Sequence, residues 1–456
     1  MKAYSSHISN LLKLGWPVIM AQLGQITVGL VDNMMIGQLG TSPLAAASFT
    51  NTVFNSVLIF GMGFTFTLTP QVGEALGKNA PNRAVESLKN SLLTNMGMGL
   101  LLFALLVMLN LNMDQFGQPA GIIEASRQYL AILTLSFIPQ MIFLTFKQFF
   151  EGVGDTKSGM RITLWGNVVN IVGNFIFING WFGMPAMGLL GAGVGTLISR
   201  IFMASLAAWK FGRSNSYGAY ASLFPKVSLS MSRIKFFWWN GWPLALQMLT
   251  EASAFGVAAI MMGWISEVGL AAHQVAISIS TLGFMVYQGI GAAAGIEISK
   301  YYGKEDLPNM KRSAYAALMI ILVMSTGMVL FFLLGRYWLA DLFTDDQEVI
   351  LLVNVFLFWL AAFQIPDGIQ IVYAGVLRGV QDFKFPLWLT FSAYFIISLP
   401  FSYWAAFHGG FGEVGIWMGF PLGLSISSTL FLIRFEYLRR KRLVTKSEVS
   451  RAAVLA

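Results

Sequence analysis

"LLKLGWPVIMAQLGQITVGLVDNMMIG" (residues 11–37) is an apolar run that contains a single acidic residue, Asp32. A helix needs about 20 mainly apolar residues to cross the hydrocarbon core of a bilayer, and this run is longer than that. The closest basic residue before Asp32 is Lys13, so no neighbour in the sequence neutralises the carboxylate. The run therefore predicts a membrane-spanning helix with a carboxylate toward its outer end.

Runs of the same kind recur along the whole chain. The 456 residues are 56% hydrophobic and only 11% charged, whereas about a quarter of the residues of a soluble domain are charged. Strands of a membrane barrel alternate and span only about 10 residues, so the runs indicate helices. They predict an all-α polytopic membrane protein with twelve transmembrane helices at about 11–37, 44–70, 90–112, 127–150, 160–180, 186–210, 238–264, 270–297, 312–338, 350–377, 386–408 and 413–435.

The chain also matches itself at an offset near 226. The matched segments keep one order: "GWP" (15–17) and "GWP" (241–243), "GKNAPN" (77–82) and "GKEDLPN" (303–309), "FIPQ" (137–140) and "QIPD" (364–367), "EGVGDTK" (151–157) and "RGVQDFK" (378–384). The twelve helices are therefore expected to form two pseudo-symmetric six-helix bundles. An even number of helices per half makes the repeats parallel, which is a plan typical of alternating-access transporters.

The repeat and the charges together predict the domain boundaries and the topology. All but two of the 29 basic residues, Arg127 and Arg336, lie on or nearest the N-terminal side of the membrane. By the positive-inside rule both termini are cytoplasmic, in the plasma (inner) membrane. The expected parts are an N-terminal bundle (1–211), a cytoplasmic linker (212–236), a C-terminal bundle (237–436) and a basic cytoplasmic tail (437–456).

Composition also excludes several functions. Without cysteine the chain has neither disulfides nor a thiolate metal site. Its net charge of +8 follows the topology and attracts anionic lipid, so we expect no nucleic-acid partner. A membrane transferase would need paired acids for Mg²⁺, and the one candidate, "TDDQE" (344–348), lies in a loop without a matching motif. We expect a protein that is not an enzyme and has no cofactor.

Three acids lie deeper than the rest. Glu251 follows Lys235 by 16 residues, about 24 Å of helix, and Asp367 precedes Arg378 by 11 residues, about 16 Å. Charges inside the bilayer are expensive and are functional candidates by default. At the internal offset Glu251 matches Gln25, Asp367 matches Gln140 and Asp32 matches Ala258. The two deep acids of the second half could bind a cation or share a proton, or each could be a protonated acid that bonds a neighbouring helix.

Other polar residues carry weaker signals. Asn167, Asn170 and Asn174 share one face of the fifth helix, where they either join helices or take part in transport. Arg200 lies near mid-depth and either reaches the interface or pairs with an acid. Acids at the cytoplasmic ends of helices are expected to be solvated caps and turns, and these are Glu74, Glu151, Asp155, Glu297 and Asp382.

Several segments together resemble the multidrug and toxic-compound extrusion (MATE) family, especially its NorM-like branch. They are "VDNMMIGQLG" (31–40), "TPQVGEALGK" (69–78), "VVNIVGNFIF" (168–177), "LAAHQVA" (270–276) and "YAGVLRGVQD" (373–382). The resemblance covers nearly the whole chain. It implies a secondary active exporter of bulky, mostly cationic and amphipathic drugs and dyes, driven by inward Na⁺ or H⁺. We expect such a protein to work as a monomer surrounded by lipid.

The resemblance also implies roles for particular residues. Glu251 and Asp367 match the acids that form the cation site of that branch, and hence a candidate Na⁺ site. Asp32 matches its first-helix aspartate, and Asn170 and Asn174 match the asparagines of the substrate or proton path. Two positions depart from the family: Phe363 replaces an aromatic hydroxyl, and Tyr287 replaces a proline.

Alternatives to a drug exporter of this family are weaker. A lipid-linked precursor flippase of the same superfamily would want a cationic cavity, and Arg200 is the one clear basic residue deep in the membrane. An exporter of the major facilitator type would carry a Gly-Asp-Arg loop after helix 2, which "PQVGEALGKNAPNR" (70–83) lacks. A passive channel fits poorly with duplicated bundles.

The topology can be tested with single cysteines, since the chain has none of its own. Thr41→Cys should react with an impermeant maleimide from outside the cell, and Lys226→Cys from the cytoplasmic side only, because basic loops stay inside. Labelling of both residues from the same side would contradict the arrangement of two six-helix bundles.

Overall fold

The computed structural model describes the backbone of residues 2–455 and the side chains of residues 4–443; the rest of the predicted basic tail, 444–456, lies outside the described side chains. Within that part the chain is helical and contains no β-strand. The α-helices are α1 (Lys2–Gly37), α2 (Thr41–Thr65), α3 (Leu68–Gly77), α4 (Pro81–Leu111), α5 (Ala120–Leu135), α6 (Phe137–Gly152), α7 (Thr156–Asn179), α8 (Leu189–Arg213), α9 (Gly218–Leu223), α10 (Met231–Gly263), α11 (Glu267–Gly303), α12 (Leu307–Leu339), α13 (Gln347–Gly379), α14 (Lys384–Phe391), α15 (Leu399–Phe407) and α16 (Gly412–Leu455).

These helices make up the twelve expected membrane spans. Eleven helical stretches of the described chain are long and apolar enough to cross a bilayer, and α5 with α6 forms a twelfth that bends by 41°. The bend precedes Pro139, which has no backbone N–H to continue the hydrogen bonding of α5. A π-helical segment (Ser392–Ser398) joins α14 to α15 within one span. The all-α membrane fold is therefore confirmed.

The chain divides into two compact units whose limits fall inside helices. The N unit is Met20–Leu246, and the C unit combines the residues up to Ile19 with those from Gln247 onward. The limits are therefore in α1 and α10, and not in the expected linker (212–236), which contains α9 and the start of α10. The first half of α1 belongs to the C unit, and the first half of α10 belongs to the N unit.

Glycines let each of these half-helices pack closely. In the N unit a Cβ on Gly63 of α2 would overlap the backbone of Ala245 in α10. In the C unit a Cβ on Gly289 of α11 would overlap the side chain of Ile19 in α1. Gly63 matches Gly289 and Ala245 matches Ile19 at the internal offset of 226. The two contacts are thus one contact made twice, with small residues where membrane helices approach closely.

Two polar pairs near the starts of α1 and α10 are also related by the internal repeat. In the C unit His7 Nδ1 lies 2.9 Å from Glu297 Oε1, and in the N unit Arg233 donates from NH1 to Gln71 Oε1 at 3.1 Å. His7 matches Arg233 and Glu297 matches Gln71 at the offset of 226. The same position of the fold is therefore held by a carboxylate in one unit and by an amide in the other.

Two of the five acids expected to be solvated caps and turns are buried instead. Glu297 and Glu151 are only 6% and 5% exposed, and Glu151 lies 3.9 Å from Lys147. Asp382 pairs with Arg434 at 2.7 Å. The expectation of solvent exposure was wrong for Glu297 and Glu151, because partners from other turns and helices cover them, whereas Asp382 lies in the turn between α13 and α14, as expected. Sequence distance to a basic residue does not reveal such cover.

Asp155 does cap a helix, as expected. It accepts a hydrogen bond from the backbone N–H of Ser158 at the start of α7, and its Oδ2 accepts one from the Tyr217 hydroxyl at 2.6 Å. Partial burial would raise the pKa of Asp155, but the bonds from Ser158 and Tyr217 outweigh it, so the pKa lies below its ordinary value. The cap therefore stays ionised.

Replacing Gly63 with Ala should destabilise the protein, because the added methyl group meets the backbone of Ala245, which cannot move aside like a flexible side chain. Overpacking of this kind costs about 1–3 kcal/mol. The midpoint of thermal unfolding in detergent should fall. Gly97→Ala is the matched control in the same unit, since nothing lies within 4 Å of its added methyl group. Equal midpoints for the two variants would contradict the close contact.

Candidate functional site

The N unit brings Asp32 of α1 together with two of the asparagines of α7. Asn174 Nδ2 donates to Asp32 Oδ1 at 2.6 Å and also lies 3.5 Å from Asn170 Oδ1. Asn174 is fully buried and Asn170 is 5% exposed. Asn170 does not bond Asp32 directly; its own Nδ2 donates to Thr196 Oγ1 of α8 at 3.2 Å. Asp32, Asn174, Asn170 and Thr196 thus form one chain of hydrogen bonds.

The position of Asn174 depends on how closely α7 packs on α8. A Cβ on Gly195 of α8 would overlap Asn174 Oδ1, and a Cβ on Gly173 would lie 3.1 Å from Gly195 Cα. The amide oxygen of Asn174 is buried and has no hydrogen-bond partner among the described residues. A buried acceptor left unpaired costs about 1–3 kcal/mol. The network therefore has an unoccupied acceptor beside the carboxylate of Asp32.

Arg200 of α8 is also part of the N unit's polar site. Its NH1 donates to Ser136 Oγ at 2.7 Å, and its guanidinium lies 4.6 Å from the centre of the Phe54 ring. It also interacts electrostatically with Asp32, without a direct ion pair between the two. The sequence left two alternatives for Arg200: that its side chain reaches the membrane interface, or that it pairs with an acid. Its electrostatic interaction with Asp32 favours the second. The glycines of the repeat match Arg200 to Leu424, so both charges of this site are absent from the second half.

The C unit holds the other two deep acids, Glu251 on α10 and Asp367 on α13. Asp367 is 9% exposed, and Glu251 is half-buried and accepts a hydrogen bond from Gln247 Nε2 at 3.3 Å. The two carboxylates interact electrostatically with each other. Pro366, immediately before Asp367, removes one helical hydrogen bond inside α13. Arg378, about 16 Å farther along α13, is the basic group whose charge reaches Glu251.

Neutral polar groups of the C unit form hydrogen bonds with one another on the helices that carry these acids and on neighbouring spans. The Tyr287 hydroxyl donates to Gln364 Oε1 at 2.7 Å, and Gln370 Nε2 lies 3.5 Å from the Tyr394 hydroxyl. Sequence reasoning missed Gln364, Gln370 and Tyr394 as members of the site. Gln364 and Gln370 were detectable, since Gln364 precedes Asp367 by one helical turn and Gln370 follows it by one turn on α13. Tyr394 was not, because it comes from another span.

The two sets of residues suit different chemistry. In the N unit Asp32 and Arg200 interact electrostatically, and their opposite formal charges offset each other. In the C unit two carboxylates are surrounded by amides and hydroxyls, and such oxygen donors suit a hard cation or protons. Among the described residues no group of three or more His, Cys, Asp and Glu is placed to hold a metal ion. A Na⁺ site at Glu251 and Asp367 thus stays a prediction.

The family model MatE matches the chain twice, over residues 17–176 and 243–404, which correspond to the two halves of the repeat. The chain is 31% identical to the "Probable multidrug resistance protein NorM" of Rhizobium meliloti, over 96% of this chain and 95% of the relative. It is 29% identical to the "Multidrug resistance protein NorM" of Photobacterium profundum, over 96% and 97% respectively.

Solved structures show the same fold. The Vibrio cholerae MATE transporter VcmN in its bent form superposes with a TM-score of 0.86 at 19% identity, covering 97% of this chain and 99% of that chain. The expected family and the two-bundle architecture are confirmed. Because the family model matches most of each half and the relatives are similar from end to end, this chain belongs to the MatE family of multidrug and toxic-compound extrusion (MATE) transporters.

Proposed function

We propose that this transporter exports bulky, mostly cationic organic compounds by alternating access, in exchange for inward Na⁺ or H⁺. It acts in the plasma (inner) membrane with both termini in the cytoplasm, as a monomer surrounded by lipid. Its substrates are amphipathic drugs and dyes, in keeping with relatives that are called multidrug resistance proteins. No cofactor takes part other than the coupling ion.

The observation that carries this proposal is the pair of deep acids in the C unit. Glu251 and Asp367 interact electrostatically with each other, and Arg378 is the one basic group that acts on Glu251 among the described residues. Charge of this kind in a membrane is costly. The first half carries the amides Gln25 and Gln140 at the matching positions, so the shared fold does not require acids there. Reversible binding of a cation is the use that accounts for both carboxylates.

Asp32 takes part in a second step in the N unit. When negative, it attracts a cationic drug; when protonated from outside, it loses that attraction and its hydrogen bond with Asn174 rearranges. The unpaired oxygen of Asn174 gives the network an acceptor for the new proton. The exchange of a drug for a proton therefore needs no further charged group in that unit.

A lipid-linked precursor flippase is the alternative that we considered. Such a protein needs a free cationic group for the phosphate of its substrate. Arg200 fits that role poorly, because its guanidinium is held by Ser136 and Phe54 and faces the charge of Asp32. No other observation favours the flippase.

Neutral amides at the deep acids should abolish ion-driven export. In everted vesicles, whose lumen corresponds to the outside of the cell, wild-type protein should accumulate a cationic dye when the lumen holds more Na⁺ than the bath or is more acidic than it. Glu251→Gln and Asp367→Asn should lower that accumulation by at least about tenfold, about 1.4 kcal/mol of coupling, because an amide neither exchanges a proton nor binds Na⁺ well.

The matched controls lie in the first half, at the corresponding positions. Gln25→Asn and Gln140→Asn change amides that have no charge to lose, so ion dependence should persist. Na⁺, pH and voltage gradients applied separately identify the coupling ion. Wild-type ion dependence in either acid variant would show that its carboxylate is structural.

Replacing Asp32 with Asn should keep the hydrogen bond to Asn174 and remove the change of charge. The variant should therefore reach the membrane normally, yet export cationic dyes at least about tenfold more slowly. Gly195→Ala tests the same network by displacing Asn174 with an added methyl group, and should reduce export while Gly97→Ala does not. Normal export by Asp32→Asn at both acidic and alkaline pH would sink the proposed switch.

A further inference from the structure

The proline of the broken span is also present in the matching span, which does not break. Pro139 follows the break between α5 and α6, where the two helices meet at 41°. Pro366 is its match at the internal offset of 227, yet α13 runs as one helix with Pro366 inside it. A proline removes the same helical hydrogen bond in both spans. It therefore permits the break but does not by itself produce it.

The break is centred on Ser136, the residue between α5 and α6. Its backbone has a ψ of −9°, away from the value of about −42° in an α-helix. The Ser136 hydroxyl donates to the carbonyl of Leu133 at 2.5 Å, and bonds from a serine to the preceding turn tend to bend a helix. The matching residue of α13 is Phe363, which has no hydroxyl. One component of the break is thus a hydroxyl that only the first half has at this position.

Arg200 of α8 holds this hydroxyl from outside the broken span. Its NH1 donates to Ser136 Oγ at 2.7 Å, and Ser136 is fully buried. The guanidinium also lies 4.6 Å from the centre of the Phe54 ring, which packs edge-on against the ring of Phe137, the first residue of α6, at 5.9 Å between ring centres. A hydrogen bond from a charged donor is stronger than one from a neutral donor. Arg200 therefore fastens the break at Ser136 and, through Phe54, the start of the helix that follows it.

The second half lacks every member of this clasp of Arg200, Ser136 and Phe54. The matched pairs are Arg200 and Leu424, Ser136 and Phe363, and Phe54 and Ser280. The half with the clasp has the broken span, and the half without it has the continuous one. Since both halves have the proline, the clasp is the feature that accompanies the break.

Helix α8 also connects the clasp to the polar network of Asp32. Thr196, whose Oγ1 accepts from Asn170 Nδ2 at 3.2 Å, precedes Arg200 by four residues. Residues four apart lie on the same face of a helix, one turn from each other. A shift of α8 on release of the clasp would therefore displace Thr196 as well, and with it the hydrogen bonds that reach Asp32 through Asn170 and Asn174.

We propose that Arg200 is a positioning residue for export: with Ser136 it holds the span of α5 and α6 bent, and thereby keeps α8 in place beside the Asp32 network. The inference rests on the proposed function for its effect on transport. It goes beyond that function by giving Arg200 a task that depends on its hydrogen bond to Ser136. The bend itself is measured without any transport.

The first experiment measures the bend by pulsed EPR on purified protein. Spin labels at Glu124→Cys on α5 and Lys157→Cys at the start of α7 occupy exposed positions, and the chain has no cysteine of its own. Helix lengths of about 18 and 27 Å that meet at 41° would span about 3 Å more if they were straight. Ser136→Ala and Arg200→Leu should each lengthen the distance toward that value. The double variant should lengthen it no further, because either substitution alone opens the clasp.

Thr134→Val is the matched control. Thr134 is a buried residue of α5 whose hydroxyl donates to Leu130 O at 2.7 Å within the helix, so its loss should leave the distance unchanged. In proteoliposomes, Ser136→Ala should slow export of a cationic dye about tenfold or more although it keeps the charge of Arg200. Thr134→Val should export normally.

Each outcome decides the matter, and Ser136→Ala keeps the test open if Arg200→Leu does not fold. Unchanged distances in the clasp variants show that Pro139 suffices for the break and overturn the clasp. A longer distance with normal export overturns the role of the bend. Slow export by Arg200→Leu with normal export by Ser136→Ala shows that Arg200 acts through its charge, and also overturns the proposal. Failure of the wild type to export overturns the proposed function, and the distances then still test the clasp.

Discussion

The close packing of two half-helices on glycine is the constraint on which the rest of the structure depends. The first half of α10 lies against Gly63, and the first half of α1 lies against Gly289. Lipid supplies no hydrophobic force between helices, so such van der Waals contact is what brings helices together in a membrane. Each of these helices then continues into the other unit and carries an acid there, Asp32 on α1 and Glu251 on α10.

The two units use different electrostatics on one backbone plan. In the N unit Asp32 and Arg200 carry opposite formal charges and interact electrostatically. The C unit holds Glu251 and Asp367, which interact with each other, and Arg378 acts electrostatically on Glu251. Two carboxylates, as in the C unit, suit the binding of a cation or protons. A carboxylate opposed by a basic group, as in the N unit, suits a site whose net charge changes when the carboxylate is protonated.

Duplication also provides an internal comparison. Where both halves keep glycine, as at Gly63 and Gly289, the residue serves the packing that both units share. Where one half has an acid and the other an amide or alanine, as at Asp367 and Gln140, the packing tolerates either, and function is the remaining reason for the charge. This comparison needs one sequence only, and it singled out the same three acids that the structure surrounds with polar partners.

The sequence by itself determined the number of spans, the family and the three deep acids, because membrane helices are continuous apolar runs and a repeat shows itself in order and spacing. Only the tertiary structure decided which half-helix belongs to which unit, that Asn174 and not Asn170 bonds Asp32, and that Arg200 interacts electrostatically with Asp32. It also brought Tyr394 to the acids of the C unit and buried Glu151 and Glu297. The physical reason is that hydropathy reports whether one segment is apolar enough to lie in lipid. The contacts between helices depend on how two helices rotate and approach each other, and a single run of residues does not specify that.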